Sequence, residues 1–449
     1  MQSFDVEFTT DGTLFDADQL EDLVSGLDAT DLIVLTHGWN NDIREATDLY
    51  DELLGNVQRL LDLRANPQAP APLRGLDGRT FVACRVFWPS KKFADKDLIP
   101  GGGAASATAA NDAVLERVLD RLAEDPTRLG DTVKSPARDE KVASAKALVP
   151  QLASDPDARA AYVDLLRSLV DDDDSVDDDG AAAFFSADAQ DLFAALDGPV
   201  SAPGAETIGG GAAIGGGPGD RSFDTGGTAG VLDRLDGVIA AARRLANLTT
   251  YLQMKSRAGT VGANGLGPVI RRVRAEHRDV RVHLVGHSFG GRLVTAAAHA
   301  LDDNTAQVTL TLLQAAFSHN GLSGDFGGGK AGAFREVLTD RRASGPIIIT
   351  HTKNDKAVGI AYPLASRIAF QNASALGDRN DPYGGMGRNG AQRTNEALGN
   401  DTELAAAGHD YGFAPGKVYN LLADAFIADH GAVRGVQVAY AILSAASAV

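Results

Sequence analysis

Short apolar runs that alternate with amphipathic segments constrain this chain more than any other feature. DLIVLTHGW (31–39) and TFVACRVFWP (80–89) are almost continuously apolar, as expected of strands buried on both faces. Between them, residues 44–63 have the apolar spacing of a helix. Strands that alternate with helices favour right-handed crossovers, so we predict an α/β fold with a mostly parallel sheet flanked by helices. Seven strands are predicted, at 4–8, 31–39, 80–89, 279–286, 307–317, 345–352 and 417–426.

The middle of the chain has a different character and predicts a large helical insertion into this sheet domain. No convincing strand is apparent there, whereas several segments have amphipathic helical spacing. The acidic run DDDDSVDDDG (171–180) is typical of a solvated loop, and the Gly-rich stretch at 204–230 is typical of a mobile one. We therefore divide the chain into a first core part (1–95), a cap- or lid-like helical insertion (96–256) and a second core part (257–449).

The charge balance narrows the range of partners. The chain has 42 basic and 60 acidic residues and a formal net charge of −18. This disfavours nucleic-acid binding and adsorption to anionic membranes, because both require clustered Lys and Arg. No apolar run predicts a transmembrane helix, and the N-terminus lacks a secretory-signal pattern, so a cytoplasmic location is expected. The single cysteine, Cys84, lies in an apolar run and is expected to be a core thiol. The oligomeric state stays open.

A serine stands at a predicted strand-to-helix corner, in VHLVGHSFGGRLVTAAAHAL (282–301). Ser288 would lie at the carboxyl end of a parallel strand, where such sheets bind their ligands. Side chains at Gly286 and Gly290 would strike the neighbouring strand and helix. The N-terminus of the following helix would offer partial positive charge and free N–H groups to an oxyanion. The Gly-x-Ser-x-Gly pattern in this context predicts a nucleophile.

With this motif the sequence resembles the α/β-hydrolase superfamily, and its Gly-His-Ser-Phe-Gly version is similar to that of bacterial lipases and esterases. The resemblance covers about 1–95 and 257–449 by pattern, and it does not extend to the helical middle. It implies a nucleophile, an acid and a histidine in that order along the chain.

The resemblance also indicates where the acid and the histidine should lie. Asp355, just beyond the predicted strand at 345–352, is the favoured acid, and Asp325, after the preceding strand, is the alternative. The histidine should follow the last strand, which favours His430. His409 precedes that strand and stays as the alternative.

The same resemblance implies an oxyanion hole made of two main-chain N–H groups. One belongs to the residue after the nucleophile, Phe289. The other follows an early strand, where LTHGWNND (35–42) has the His-Gly-x form found in lipases, which points to the N–H of Trp39. Gly38 would let the backbone turn into the site, and His37 is expected to brace this loop.

The favoured function is that of a cofactor-free serine hydrolase of the esterase or lipase type, acting on a small-molecule or lipid-like acyl ester through an acyl-enzyme. A thioesterase, an amidase or a phospholipase with the same triad is an alternative, and so is a non-catalytic scaffold of the same fold. No metal site is predicted, because the histidines lack zinc-ligand spacing. GANGLG (262–267) is similar to a dinucleotide-binding fingerprint in its glycines, but no strand runs into it, and it is set aside.

Overall fold

The fold is described from a computed structural model of the chain. The structure describes residues 1–39, 41–90, 107–128, 131–170, 177–197, 237–355, 379–398 and 402–449. The Gly-rich stretch at 204–230 and residues 171–176 of the acidic run lie outside the described residues.

The helices and strands follow one another along the chain as the sequence alternation suggests. The first part contains β1 (Gln2–Glu7), α1 (Asp18–Gly26), β2 (Asp31–Thr36), α2 (Ile43–Asp62), α3 (Ala71–Arg74), β3 (Phe81–Phe87), α4 (Ala107–Ala123), β4 (Glu124–Arg128), β5 (Asp131–Lys134), α5 (Pro136–Leu148), α6 (Pro156–Arg167), α7 (Ala181–Ser186) and α8 (Ala189–Ala195). The second part contains α9 (Val238–Thr260), α10 (Gly267–Glu276), β6 (Arg281–His287), α11 (Phe289–His299), β7 (Val308–Leu313), α12 (Glu336–Thr339), β8 (Ile347–His351), α13 (Met386–Asn389), β9 (Thr402–Glu403), β10 (Val418–Leu422) and α14 (Val436–Ala446).

Eight strands form one sheet in the order β1-β3-β2-β6-β7-β8-β10-β9, and every neighbouring pair is parallel. This confirms the predicted α/β fold with a parallel sheet and flanking helices. The chain leaves β2 toward one side of the sheet and leaves β6 toward the other, so the two central strands flank a topological switch point. The carboxyl ends beside such a point are the natural place for a ligand.

Alternate residues of the central strands enter two separate hydrophobic cores, one on each face of the sheet. Leu32 and Val34 of β2 face the core that contains α1, α10 and α11. Ile33 and Leu35 face the core that contains α2 and α14. The period of two along a strand explains this division, and burial of both faces explains why the strands are continuously apolar.

One strand prediction was wrong. The middle of the chain contains a two-stranded antiparallel sheet, β4–β5, where no strand was expected. Its sequences, EDPTR and DTVK, are short and polar, and one contains a proline. They therefore carry neither the alternation nor the β-branched run from which a strand is predicted.

The helix α9 continues without a break through a π-helical segment, Val261–Leu266, into α10. This segment contains GANGLG, so these glycines lie inside a helix and not after a strand. A Cβ on Gly262 would overlap the main-chain carbonyl of Leu293 in α11, and a Cβ on Gly267 would lie 2.9 Å from the Cβ of Ala300. The glycines therefore serve the close approach of two helices.

The second half of the acidic run is buried, which contradicts the expectation of a solvated loop. Asp178 and Asp179 are each 3% exposed. Asp179 forms a buried ion pair with Lys255 of α9 at 2.7 Å. One carboxylate oxygen of Asp178 accepts a hydrogen bond from the main-chain N–H of Ala333 (3.0 Å). Burial, followed by the charge of Asp179, raises the pKa of Asp178 to about 6. A charge run does not reveal that a cation elsewhere in the chain will pair with it.

The environment of Cys84 and the apolar character of the helices can be compared with the sequence expectations. Cys84 is buried in β3, and burial raises the pKa of its thiol to about 12, which fits a packed core residue. Among the described residues, no helix combines the length and apolar character needed to cross a bilayer.

Candidate active site

Ser288 occupies the corner between β6 and α11, in a backbone conformation that few residues with a side chain adopt. Its φ is 57° and its ψ is −125°, which is strained for any residue that has a Cβ. The Ser288 N–H donates to the carbonyl of Leu313 at 3.0 Å. The Ser288 carbonyl accepts from the N–H groups of Gly291 (2.9 Å) and Ala316 (3.0 Å). Bonds to the chain of β7 and just beyond it therefore hold the strained turn.

The two glycines of the motif occupy places that no larger residue could take. A Cβ on Gly286 would overlap the main-chain carbonyl of Gly290 on the first turn of α11. A Cβ on Gly290 would lie 2.5 Å from the carbonyl oxygen of His37 and 2.6 Å from that of Thr36, at the end of β2. Strand, helix and neighbouring strand thus meet tightly around Ser288.

His430 and Asp355 join Ser288 in one hydrogen-bonded chain. The Nε2 of His430 lies 2.8 Å from Ser288 Oγ, and its Nδ1 lies 2.8 Å from Asp355 Oδ2. Asp355, after β8, is fully buried, whereas the His430 side chain, between β10 and α14, is 16% exposed. A carboxylate can only accept, so Nδ1 carries the proton and Nε2 is free to accept one from the serine hydroxyl. The order is that of a nucleophile, a base and a group that orients the base.

The environment of His430 makes its imidazole more basic than usual. Burial lowers the pKa of His430, but the charge of Asp355 and the hydrogen bond to it raise that pKa by more, and Asp429 adds to the rise. The net pKa lies above the ordinary 6.5. A raised pKa strengthens this imidazole as an acceptor of the serine hydroxyl proton.

Gln314 is a site residue that the sequence analysis missed. It follows β7 directly, and its φ of 47° is unusual for a residue with a side chain. Its Nε2 donates to the carbonyl of Gly387 (2.9 Å) and to Asp355 Oδ2 (3.3 Å). The carboxylate is thus held from a second side. In the sequence, Gln314 could have been noticed as a polar residue immediately after β7, the strand that neighbours the nucleophile strand β6.

The loop after β2 lies directly against the serine. A Cβ on Gly38 would be 2.6 Å from Ser288 Cβ and 3.2 Å from Ser288 Oγ, so only a glycine leaves the hydroxyl room. His37 is completely buried, and burial lowers the pKa of its imidazole to about 4. Its Nδ1 donates to the Gly38 carbonyl (2.9 Å), and its Nε2 accepts from the N–H of Trp88 (3.3 Å). His37 is therefore neutral and bonded in the manner of a loop brace.

The two residues predicted to supply oxyanion donors lie on either side of this corner. The rings of Trp39 and Phe289 meet edge to face, with centroids 6.1 Å apart. Across the described residues, the structure has no hydrogen bond from the main-chain N–H of either residue to another protein group. Tyr251 of α9 packs on Phe289, with ring centroids 5.2 Å apart. Among the described residues, the main-chain N–H groups of Trp39 and Phe289 thus have no protein partner, and the three aromatic side chains pack together, with Phe289 only 1% exposed.

The alternative acid and histidine lie elsewhere. Asp325 is exposed, and one of its carboxylate oxygens accepts from the N–H groups of Gly327 (2.8 Å) and Gly329 (3.1 Å), so it closes its own loop. His409 is exposed, its ring lies against Tyr411 at 4.8 Å, and its carbonyl accepts from the hydroxyl of Tyr440 on α14. Within the described part of the chain, neither carries a hydrogen bond to the residues around Ser288.

A second missed residue is His287, immediately before the serine. Its Nε2 lies 2.8 Å from the main-chain carbonyl oxygen of His430, and the two rings are in contact with centroids 4.9 Å apart. A residue at the end of a buried strand, next to the nucleophile, was the available signal. The sequence could not show that it contacts the histidine 143 positions later.

The described residues contain no group of three or more His, Cys, Asp or Glu side chains arranged to hold a metal ion. Comparison of the chain with protein-family models, curated proteins and solved structures finds no match.

Proposed function

We propose that this protein is a serine hydrolase of the α/β-hydrolase fold that cleaves carboxylic esters of the esterase or lipase type. The observation that carries the proposal is the chain of two 2.8 Å hydrogen bonds from Ser288 through His430 to Asp355. These residues follow β6, β10 and β8, whose carboxyl ends lie at the same edge of the sheet. The strained backbone of Ser288 supports the proposal, because such strain concentrates at functional residues.

In the proposed reaction Ser288 Oγ attacks the acyl carbonyl carbon while His430 Nε2 takes the hydroxyl proton. The new C–O bond moves the carbonyl electron pair onto oxygen and gives a tetrahedral oxyanion. The imidazolium then returns the proton to the leaving alkoxide as the ester C–O bond breaks, which leaves an acyl-serine and a free alcohol. Water repeats the sequence: His430 takes its proton, the hydroxyl attacks, and Ser288 leaves protonated as the carboxylic acid is released.

The main-chain N–H groups of Phe289 and Trp39 are proposed to bind the oxyanion. In enzymes that use such donors, loss of one costs about 10²- to 10³-fold in turnover, because the donors act where water is excluded. Asp355 would hold the histidine in the tautomer seen here and stabilise the imidazolium.

Trp39, Phe289 and Tyr251 pack together next to the nucleophile corner, which gives it apolar surroundings of the kind that suit an uncharged acyl ester. Tyr251 belongs to α9, so the helical middle of the chain contacts the residue that follows the nucleophile. This supports the further proposal that residues 96–256 form an insertion that covers one side of the sheet edge and contributes to substrate preference.

A fluorophosphonate probe tests the proposal directly, since it reacts only with an activated serine. We expect the wild-type chain and Ser144→Ala to label fully, and Ser288→Ala to lose labelling and hydrolysis of p-nitrophenyl acetate together. Ser144 is a suitable control because it is exposed on α5 and its hydroxyl bonds only to the carbonyl of Glu140 (2.9 Å). A folded wild-type protein that neither labels nor hydrolyses the ester would refute the proposal.

A further inference from the structure

His287 connects the strand that carries the nucleophile to the loop that carries the base. Its ring is 9% exposed and lies between Gly38 and His430. The contact at 2.8 Å joins its Nε2 to the carbonyl oxygen of His430. A carbonyl can only accept, so Nε2 carries the ring proton and donates it.

The charge state of His287 follows from its surroundings. Burial lowers the pKa of His287, and the neighbouring His430 lowers it further, to about 3. The groups that face it from the packed elements are His430, Asp355 and Arg434, and Asp355 acts in the opposite direction. Within the described part of the chain its buried Nδ1 has no hydrogen-bond partner, so the ring holds a single proton. The donor is therefore present at every pH at which a histidine base works.

The loop that carries His430 needs such an anchor. Side-chain bonds tie the first half of this loop, through Asn354 to the carbonyls of Asp424 (3.1 Å) and Ile427 (3.0 Å). Asp429 bonds only locally, to the N–H of Gly431 (2.8 Å). On the side toward α14, the Asn56 side chain donates to the carbonyl of Arg434 (2.7 Å). Among the described residues, the bond from His287 is the one that holds the main chain at His430 itself, and it comes from the residue next to the nucleophile.

We propose that His287 is a positioning residue for the hydrolytic reaction: its Nε2–H bond to the His430 carbonyl fixes the distance between His430 Nε2 and Ser288 Oγ. This proposal rests on the proposed function. Base and nucleophile must stay within about 3.2 Å for proton transfer, and a displacement of about 1 Å can reduce turnover about 10²-fold. Because His287 and Ser288 are adjacent, one strand end holds both partners of that transfer.

Two variants of similar shape separate the hydrogen bond from the packing. His287→Gln keeps a side-chain N–H donor at a similar reach, whereas His287→Met has a similar length and no donor. With turnover expressed per Ser288 labelled to completion by a fluorophosphonate, we expect kcat to fall about 10- to 100-fold in the Met variant, with KM within twofold of wild type. The Gln variant should stay within about fivefold of wild type.

His277 provides the matched control. His277 follows the last residue of α10, and its Nε2 also bonds a main-chain carbonyl at 2.8 Å, that of Val24 in α1. His277→Met and His277→Gln should both leave kcat within twofold of wild type. If His287→Met yields no labelled protein, His287→Phe, which keeps a ring and lacks the donor, is held to the same thresholds.

A low-field proton resonance from the His430–Asp355 bond gives a readout that needs no turnover. It should persist in wild type and His287→Gln, and broaden or disappear in His287→Met. Equal kcat losses in the Met and Gln variants, or a Met variant within twofold of wild type, would overturn the positioning role while leaving the hydrolase proposal intact. An inert wild type would instead overturn the hydrolase proposal, and the resonance would still report on His287.

Discussion

The parallel strands carry one Asp–His–hydroxyl chain at their carboxyl ends, called here the carboxyl edge of the sheet, and a second one at their amino ends, called the amino edge. At the carboxyl edge, the chain is the one formed by Asp355, His430 and Ser288. At the amino edge, His283 Nε2 lies 2.9 Å from Asp31 Oδ1, and His283 Nδ1 lies 2.9 Å from the hydroxyl of Thr309. Residue types and distances are nearly the same, so the difference between the two edges must lie elsewhere.

The first difference is what else binds the carboxylate. At the amino edge the guanidinium of Arg79 also bonds Asp31. Burial raises the pKa of Asp31, but the hydrogen bonds from His283 and Arg79 outweigh it and hold that pKa well below its ordinary value. Burial lowers the pKa of His283 by more than Asp31 raises it, and Arg79 lowers it further. His430, whose carboxylate partner has the neutral amide of Gln314 beside it, has a raised pKa instead.

The second difference is the backbone under the hydroxyl. Thr309 lies within β7 and is 1% exposed, so its hydroxyl can only join the strands. Ser288 stands on a strained corner at a strand end, beside a glycine that leaves its oxygen room. The comparison teaches that three residue types at bonding distance do not define a reactive site. A carboxylate that raises the pKa of its histidine, and a hydroxyl on a strained backbone at a strand end, are proposed to be required as well.

The largest expected effect separates the two histidines that the sequence left as candidate bases. His430→Ala should reduce kcat by about 10⁴-fold or more with the fold intact, because the imidazole that lies 2.8 Å from the serine hydroxyl is removed. His409→Ala should change kcat by less than tenfold. Steady-state hydrolysis of a short-chain ester measures both, and the reverse ranking would move the base to the loop of His409.

A smaller effect is expected from crowding the serine. Gly38→Ala should lower kcat about 10²-fold, because its Cβ would lie 2.6 Å from Ser288 Cβ and the loop must move away with its N–H donor. Gly55→Ala, on α2 where a Cβ meets nothing within 4 Å, is the control and should keep full activity. Equal activity of the two variants would show that the loop after β2 takes no part in the site.

A second carboxylate beside Asp355 would test whether the charge around this residue sets the pKa of His430. In the wild type, activity should fall as the pH drops through the raised pKa of His430, above 6.5, because the protonated base cannot accept a proton. Gln314→Glu places a carboxylate beside Asp355, which favours the imidazolium and moves this acid limb to higher pH. The ratio of kcat/KM at pH 6 to that at pH 8 should fall about tenfold. An unmoved limb would mean that Gln314 does not influence the pair.

The smallest effect on activity is expected at the amino edge. Asp31→Asn should leave kcat of the folded protein within twofold of wild type and lower the free energy of unfolding by about 3–5 kcal/mol, since Arg79 loses its buried partner. The folded-state pKa of Asp31 is depressed, so its contribution is present above about pH 3.9 and is lost as the pH falls toward the folded-state value. Urea unfolding at pH 7 checks the loss; a drop in kcat without loss of stability would contradict the structural role.

Local patterns predicted the parallel sheet and Ser288, because a buried strand and a strained βα corner each leave a short signature in the chain. The resemblance to the α/β-hydrolase superfamily, and not a local pattern, indicated Asp355 and His430. Gln314 and His287 left a signal in their positions at strand ends, but their contacts, like the burial of Asp178, depend on partners far away in sequence and could not be predicted. The hairpin β4–β5 was missed for the opposite reason: its polar residues lack a local pattern. The catalytic roles themselves stay predictions until the variants are measured.

The continuous helix formed by α9, the π-helical segment and α10 limits which segments can be deleted from this chain. Arg243, Arg244, Lys255 and Arg257 are all buried along α9, whose neighbours include α4, α6 and α8 as well as α11. Arg244 bonds the carbonyl of Leu196 (2.6 Å), and Arg257 bonds that of Pro89 (3.0 Å). Excision of residues 107–195 would remove Asp179, the buried partner of Lys255, together with the helices α4, α6 and α8 that pack against α9. The middle of the chain is therefore not a detachable module, and transplanting the sheet alone into another protein would require redesign of that helix.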